Sequence, residues 1–393
     1  MIEVVGIGDD GWSSLPADEQ ELVRRAPALV GGERHLALVP AVEGQRRLTW
    51  PKPFRDGLSE LMENHPGLVV LASGDPLRSG VGSTLVEMFG VDAVRIRPHL
   101  SSDALARARM GWAAESVDVL TLVGRPVERL RAAVWPGARI VVLCSDGSTP
   151  AVIAESLVEW GSGDAVMTAW WHLGGPGEGS RRAVASQWGA EPTPDLVVVC
   201  VDVVSGQWTG GVAGRPEEAF DHDGLITKRD LRAGALARLR PAPGEVLWDL
   251  GAGSGAVGIE WVLGAPGARA VAVERDATRA AQVRMNAARW GVGERVDVVE
   301  ADVDEYLASA VSAPDAVFLG GGLSAPAVER AVAVARRVVA HAVTMESERL
   351  LLDAQAEHGG ELVRVSVETM RPLGRFRGWD PARAIVQWSW EKQ

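Results

Sequence analysis

Cysteine is scarce in this chain: 393 residues include two, Cys144 and Cys200. That excludes a disulfide framework and any cysteine-based metal spacing. Each closes an apolar β-like run, RIVVLC and LVVVC, so both read as small buried hydrophobes in a reducing compartment. No apolar run approaches the roughly 18 residues of a membrane span. The opening MIEVVGIGDD lacks a basic segment and goes straight into a strand, so it does not read as a secretory signal. A cytoplasmic protein without a membrane partner is expected. Positive charge is in deficit, with 40 Lys and Arg against 52 Asp and Glu and a net charge of −12. A phosphate-backbone surface needs clustered cations, so no nucleic-acid partner is expected. Tyrosine is nearly absent, one against fifteen tryptophans. Trp160, Trp171, Trp188, Trp261 and Trp290 are scattered and read as packing residues.

What is present is the balance of a globular protein: 47% hydrophobic and 23% charged residues. The length suggests two domains, each able to bury its own core. Residues 206–224, GQWTGGVAGRPEEAFDHDG, carry Gly and acid with no apolar period and read as a linker. That leaves domains at 1–205 and 225–393. In the second, strands at 246–249, 270–274, 296–299, 315–319, 338–344 and 361–369 alternate with helices at 229–239, 276–290, 325–336 and 347–358. Such alternation argues for a parallel sheet covered on both faces.

The stretch VLWDLGAGSGAVGIEWVLGAPGARAVAVERD at 246–276 is the most informative. A strand ends in Asp249, and Gly251, Gly253 and Gly255 turn into a helix. A second strand ends in Glu274. Glycines there let backbone approach a ligand, and an acid roughly 20 positions on can take two ribose hydroxyls. Gly251-x-Gly253-x-x-Ala256 also fits a dinucleotide fingerprint. A pyrophosphate at the helix N-terminus would be repelled by Asp249, however, whereas S-adenosylmethionine is cationic and carries no phosphate there. The methyl donor is the favoured ligand. Ala301 and Asp302, after the third strand, are placed to face an adenine edge.

The first 205 residues read as strands at 2–7, 68–72, 93–97, 118–123, 139–143 and 195–204, with a break near 99–103 that suggests two α/β lobes. Gly6-x-Gly8 and Ser73-Gly74-Asp75-Pro76 both follow strands. Singly these are common turns; together they point to a cleft that includes Gly8.

Several motifs of this half occur in order: VVGIG at 4–8, GGERHL at 31–36, LASGDP at 71–76, Ser101-Ser102, GRP at 124–126, DGSTPAVIAESL at 146–157 and LGGPGEGSRRA at 173–183. With these the half resembles the tetrapyrrole (corrin and porphyrin) methylase family. The resemblance implies a two-lobed fold with S-adenosylmethionine in the cleft, and it implicates Gly74, Asp75, Ser101 and Ser102. Two departures stand out: Asp9 where many members have Pro, and Val123 where a His is frequent. The second half carries ITKRDLRA at 226–233, DLGAGSG at 249–255, LGGG at 319–322, VTMESE at 343–348 and PLGRFRGW at 372–379. It resembles the decarboxylating C15-methyltransferases of cobalamin biosynthesis, which implies a Rossmann-like class I methyltransferase domain and a donor contact at Thr227.

The resemblances imply an α/β chain with two S-adenosylmethionine sites, one per domain, acting on a reduced tetrapyrrole and losing CO2 from an acetate arm. No metal is expected. Relatives of either half often assemble, so a homo-oligomer is expected. The meso carbons of such a macrocycle are enamine-like nucleophiles, and catalysis is mostly alignment. This suits a second half without an evident catalytic triad, where His341 and His358 read as structural. Arginines suit the substrate's carboxylates, and Arg371, Arg375 and Arg377 cluster in one loop. Arg375, Arg377 and Lys228 are the candidate clamps. Two other readings remain: a methyltransferase for RNA or protein, and a donor-binding scaffold. Gly320-Gly321-Gly322, in place of an Asn/Asp-Pro-Pro-aromatic tetrad, counts against a nucleobase amine as acceptor.

Overall fold

The computed structural model describes residues 1–206 and 212–392. By Cα proximity the chain forms two compact units, Met1–Val127 with Ala133–Gln207, and Trp208–Gln393 with Glu128–Ala132. Among the described residues no helix is long and apolar enough to cross a membrane.

The first unit holds two sheets, in keeping with the two lobes read from the sequence. One contains β1 (Ile2–Ile7), β2 (Ala28–Val30), β3 (Arg46–Leu48), β4 (Val69–Ser73) and β5 (Val94–Arg97), all parallel, in the order β3-β2-β4-β1-β5. Strands covered on both faces should be continuously apolar, and Val4, Val5, Ile7, Val70 and Leu71 are fully buried. The other contains β6 (Asp118–Thr121), β7 (Arg139–Leu143), β8 (Val166–Trp171), β9 (Gly179–Val184) and β10 (Val197–Asp202), in the order β6-β7-β10-β8-β9. Only β6 and β7 run parallel. The sequence reading missed β2 and β3, which are three residues each, and the pair β8–β9. Edge strand β9, GSRRAV, is largely half-buried or exposed and gives no apolar signal.

The second unit has one seven-stranded sheet. Its strands are β11 (Val246–Leu250), β12 (Arg269–Glu274), β13 (Val296–Glu300), β14 (Ala316–Leu319), β15 (Arg337–Ala342), β16 (Glu361–Val365) and β19 (Ile385–Glu391), in the order β13-β12-β11-β14-β15-β19-β16. The first five are parallel, as the alternation predicts. The expectation of an all-parallel sheet is corrected at one end, where β19 runs antiparallel to both β15 and β16. A parallel return needs a crossover helix. Here the chain leaves β16 through a hairpin, β17 (Glu368–Leu373) and β18 (Phe376–Pro381), and comes straight back. Trp248, Trp261 and Trp388 are fully buried, as packing tryptophans should be.

Of the stretch read as a linker, residues 207–211 lie outside the described residues. Residues 212–224 pack into the second unit. Phe220 is buried in the cluster that holds Leu236, Leu239 and Trp261. The carboxylate of Glu260 accepts the backbone N–H of Gly214 at 2.7 Å and of Arg215 at 2.8 Å. It also pairs with Arg232 at 3.1 Å, both side chains being fully buried. Arg232 in turn donates to the carbonyls of Thr227 and Arg215, and its guanidinium lies 5.1 Å over the Phe220 ring. Single anchors fastened by a carboxylate 46 residues away leave no periodic signal.

Removing one partner of a buried, hydrogen-bonded pair strands the other charge. Glu260→Ala is therefore expected to destabilise the second unit by about 3–5 kcal/mol, with chemical denaturation as the measurement. A loss below about 1 kcal/mol would place this network outside the determinants of stability.

Candidate functional site

Each unit carries a cavity at the carboxyl ends of its parallel strands, where open α/β sheets bind ligands. The first encloses about 370 Å³. Its lining includes Gly8, Gly74, Asp75, Ser101 and Ser102, so the structure brings together the five residues expected there. Gly74 adopts φ +46°, and a Cβ on it would sit 2.9 Å from the carbonyl oxygen of Leu100. Asp75 Oδ1 accepts the N–H of Leu77 at 2.9 Å, and Ser101 Oγ caps the helix Ser102–Met110 through the N–H of Ala104.

Of the polar wall of this cavity the sequence reading named Asp9 alone, as a departure from the resembling family, and gave it no role. Arg34 Nη1 donates to Asp9 Oδ1 at 3.3 Å and Nη2 to Ser73 Oγ at 3.2 Å. His172 Nδ1 lies 2.9 Å from Asp9 Oδ2, and His35 Nε2 lies 2.8 Å from Ser73 Oγ. Burial, helped by the neighbouring Arg34, pushes His35 down to about 4, so its ring is neutral near pH 7. Cys144 also lines the cavity. Burial pushes both cysteines up to about 12, which leaves them as inert thiols, in line with their reading as hydrophobes.

The second cavity encloses about 630 Å³. Thr227, Lys228, Gly251, Gly253, Glu274, Ala301 and Asp302 all line it, together with Gly320–Gly322. Glu274 Oε2 accepts the N–H of Gly253 at 2.9 Å and Oε1 that of Asp276 at 3.0 Å. Each carboxylate oxygen keeps a lone pair for a further donor such as a hydroxyl. Asp302 Oδ1 accepts the N–H of Asp304 at 2.9 Å at the start of the helix Val303–Ser309. Acidic groups at the glycine turn suit a cationic nucleoside better than a pyrophosphate, and the volume suits a small molecule. Arg275, Arg279 and Arg383 line this cavity too and were not foreseen.

His341, read as structural, also reaches this cavity. Its Nε2 lies 2.9 Å from the side-chain amide of Gln387, its ring stands edge-on to Phe318, and burial pushes it down to about 4. Arg371, Arg375 and Arg377 are not brought to the cavity. They sit on the exposed hairpin β17–β18, where Arg371 pairs with Asp380 at 3.2 Å and Arg375 covers the Phe376 ring. No metal-ligand set was read from the sequence. Among the described residues, Glu329, Glu357 and His358 bring ligand-type atoms within 4.8 Å, with His358 Nε2 2.9 Å from Glu329.

Residues 1–187 match the family model described as tetrapyrrole (corrin/porphyrin) methylases, and residues 218–392 the one described as precorrin methyltransferase domain. The precorrin-6Y C(5,15)-methyltransferase (decarboxylating) of Mycobacterium tuberculosis (strain ATCC 25618 / H37Rv) is 41% identical over 397 residues, covering 100% of both chains. A cobalt-precorrin-7 C(5)-methyltransferase of Salmonella typhimurium is 35% identical over 42% of this chain and 82% of its own length. A probable cobalt-precorrin-6B C(15)-methyltransferase (decarboxylating) of Pyrobaculum calidifontis is 35% identical over 43% of this chain and 91% of its own.

Asp249 and Gly255 stand apart from the other expected residues, because neither lines the cavity. Asp249 is buried under the glycine turn, and its Oδ2 accepts the N–H of Gly258 at 2.9 Å. Gly258 permits this approach, since a Cβ there would lie 3.1 Å from the same oxygen. The carboxylate fastens the helix Ala256–Gly264 to the end of β11 from below. Burial pushes its pKa up to about 7, with the nearby Glu274 charge adding and the Gly258 N–H opposing. An unfolded Asp titrates near ~3.9. The folded state therefore holds this proton more tightly, and the associated stability is present below about pH 4 and lost as pH rises through about 7. Asp249→Asn should flatten this loss, gaining on the wild type across that window. Urea denaturation at stepped pH measures it, and parallel curves for the two proteins would refute the assignment.

Proposed function

The chain belongs to the family of decarboxylating precorrin-6Y C(5,15)-methyltransferases, and we propose that its two cavities divide that family's work, one methylation in each. The enzyme transfers methyl groups from S-adenosylmethionine to C5 and C15 of a precorrin and removes CO2 from a ring acetate, in cobalamin biosynthesis. The observation that carries the division is the pair of separate glycine-turn cavities, one per unit. It is supported by relatives of about half the length that are named for the C(5) and the decarboxylating C(15) reactions separately. C5 methylation then belongs to residues 1–205, and C15 methylation with decarboxylation to residues 225–393, the preceding segment from 212 serving as a strap on the second unit.

In the first cavity Gly8, Gly74, Asp75, Ser101 and Ser102 would hold the donor. In the second, Glu274 would take the ribose hydroxyls and Asp302 the adenine edge. Thr227 and the backbone of Gly251, Gly253 and Gly320–Gly322 would contact the rest, while Asp249 acts through the turn it supports. The donor supplies an electrophilic methyl on a sulfonium. The protein's part is to hold it in line with the acceptor carbon and to exclude water.

Decarboxylation needs an electron sink, which the conjugated macrocycle provides. A cation on the departing carboxylate would stabilise the ground state, the wrong kind of differential binding. The neutral ring of His341 and the apolar Ile226, Val343 and Ile385 give that carboxylate an uncharged wall. Lys228 and Arg383, which line the cavity, become the clamps for the other carboxylates. Arg375 and Arg377 lie off it and act there less directly. A homo-oligomer fits the hairpin's exposed Met370, Leu373, Phe376 and Trp379, and a cytoplasmic setting fits the two reduced cysteines.

Titration of the full chain with S-adenosylhomocysteine should give a stoichiometry near two by calorimetry; a value near one would contradict the division. Lys228→Ala and Arg383→Ala should each raise KM for the precorrin by roughly tenfold to a hundredfold, the equivalent of one charged hydrogen bond. Both should slow C15 methylation and decarboxylation together, read as product masses. Loss of decarboxylation alone would mean that the cation serves the departing carboxylate.

A further inference from the structure

Methylation at a trigonal meso carbon leaves a proton to be removed, and the first cavity contains a pair arranged to take it. We propose that His172, oriented by Asp9, is the base that accepts this proton; the inference rests on the assignment of a methylation to the first unit. The acceptor carbon forms its bond to the donor methyl as the carbon–sulfur bond breaks, with both electrons leaving on sulfur. That carbon then bears hydrogen and methyl, and the macrocycle carries a positive charge. The proton passes to His172 Nε2 while the C–H electron pair restores the conjugation. The products are the methylated macrocycle, S-adenosylhomocysteine and one proton, which solvent takes from the imidazolium.

Three independent observations support the pair. The first is its geometry. Nδ1 of His172 lies 2.9 Å from Asp9 Oδ2, and Arg34 fixes the other oxygen of Asp9 at 3.3 Å. A ring that donates from Nδ1 to a carboxylate keeps the lone pair on Nε2, the arrangement of a general base. The second is strain. His172 holds φ +49°, a left-handed conformation that a side chain adopts at a cost and that is retained where the surroundings require it. The third is the room made for the pair by the LGGPGEG segment that joins β8 to β9. A Cβ on Gly175 would lie 2.4 Å from Asp9 Oδ2, and one on Gly177 would touch the His172 ring at 3.5 Å.

Asp9 and His172 line the same cavity as Gly74 and Ser101. The other histidine of that wall, His35, is engaged at Nε2 by Ser73 and Arg34, at 2.8 and 2.9 Å. Asp9 is itself one of the two positions at which this chain departs from the resembling family, proline being frequent at this one. In this assignment His172 is catalytic and Asp9 is a positioning residue.

The test uses the full chain and two variants that tolerate the left-handed backbone, His172→Gly and His172→Asn. C5 methylation should fall about 10²–10⁴-fold in kcat, with KM, S-adenosylhomocysteine binding by calorimetry and the C15 products unchanged. Added imidazole should restore turnover in His172→Gly. Asp9→Asn should lower kcat with KM held, and Asp9→Glu should recover part of it. Wild-type turnover in His172→Gly, a loss that imidazole does not relieve, or a parallel loss of S-adenosylhomocysteine binding would each overturn the proposal. Gly74→Val separates the underlying reading, because its side chain would collide with Leu100. If that variant still methylates C5, the reaction does not belong to the first unit at all.

Discussion

Both cavities depend on backbone passing backbone at the carboxyl ends of parallel strands, closer than any side chain permits. In the first unit a Cβ on Gly6 would lie 1.9 Å from the carbonyl oxygen of Gly74. In the second, one on Gly251 would lie 2.6 Å from the backbone of Gly321. The peptide groups at these strand ends stay satisfied: Gly74 donates to Ile7, Gly251 to Val273 and Gly320 to Leu250. The same device appears twice on sheets of different strand order. What differs is the chemistry that the surrounding loops bring to it, an Arg–Asp–His wall in one unit and acids with Lys and Arg in the other.

The second unit adds a polar anchor to this frame. Glu260 lies on the helix that starts at the glycine turn, and through Arg232 and the N–H groups of Gly214 and Arg215 it holds the segment leading to Thr227 and Lys228. The glycine turn at the cavity and the strap are therefore both fastened to one helix. Asp249 works from the same place, clamping that helix to β11 through Gly258. Neither carboxylate lines the cavity, yet both set the position of groups that do.

Much of this was legible in the sequence, and the boundary of legibility has physical causes. The buried strands β1, β4, β7, β11, β12, β14 and β15 announce themselves as apolar runs punctuated by glycine. The three-residue β2 and β3 do not, and β19 reads as a strand only once a hairpin is known to return it to the sheet. Glycines, Glu274 and Asp302 were legible because one continuous stretch of chain carries the turn. Asp9 and His172 were not, since 163 residues separate them and only the tertiary fold makes them a pair. Asp249 shows the opposite case. Its place in the motif was plain, but whether it faced ligand or helix depended on a contact nine residues on that spacing alone does not decide.

The position of β19 bears on how the second unit is made. Residues 385–391 form the strand between β15 and β16, and among the described residues they alone pair with β16. During synthesis β11 to β15 can assemble in order as each crossover is completed, while β16 waits with its edge unpaired. His341, already in place on β15, meets Gln387 only when this strand docks. The wall of the second cavity that contains His341 and Ile385 is thus the last to close. On the ribosome the nascent domain would hold its glycine turn well before it held a finished pocket.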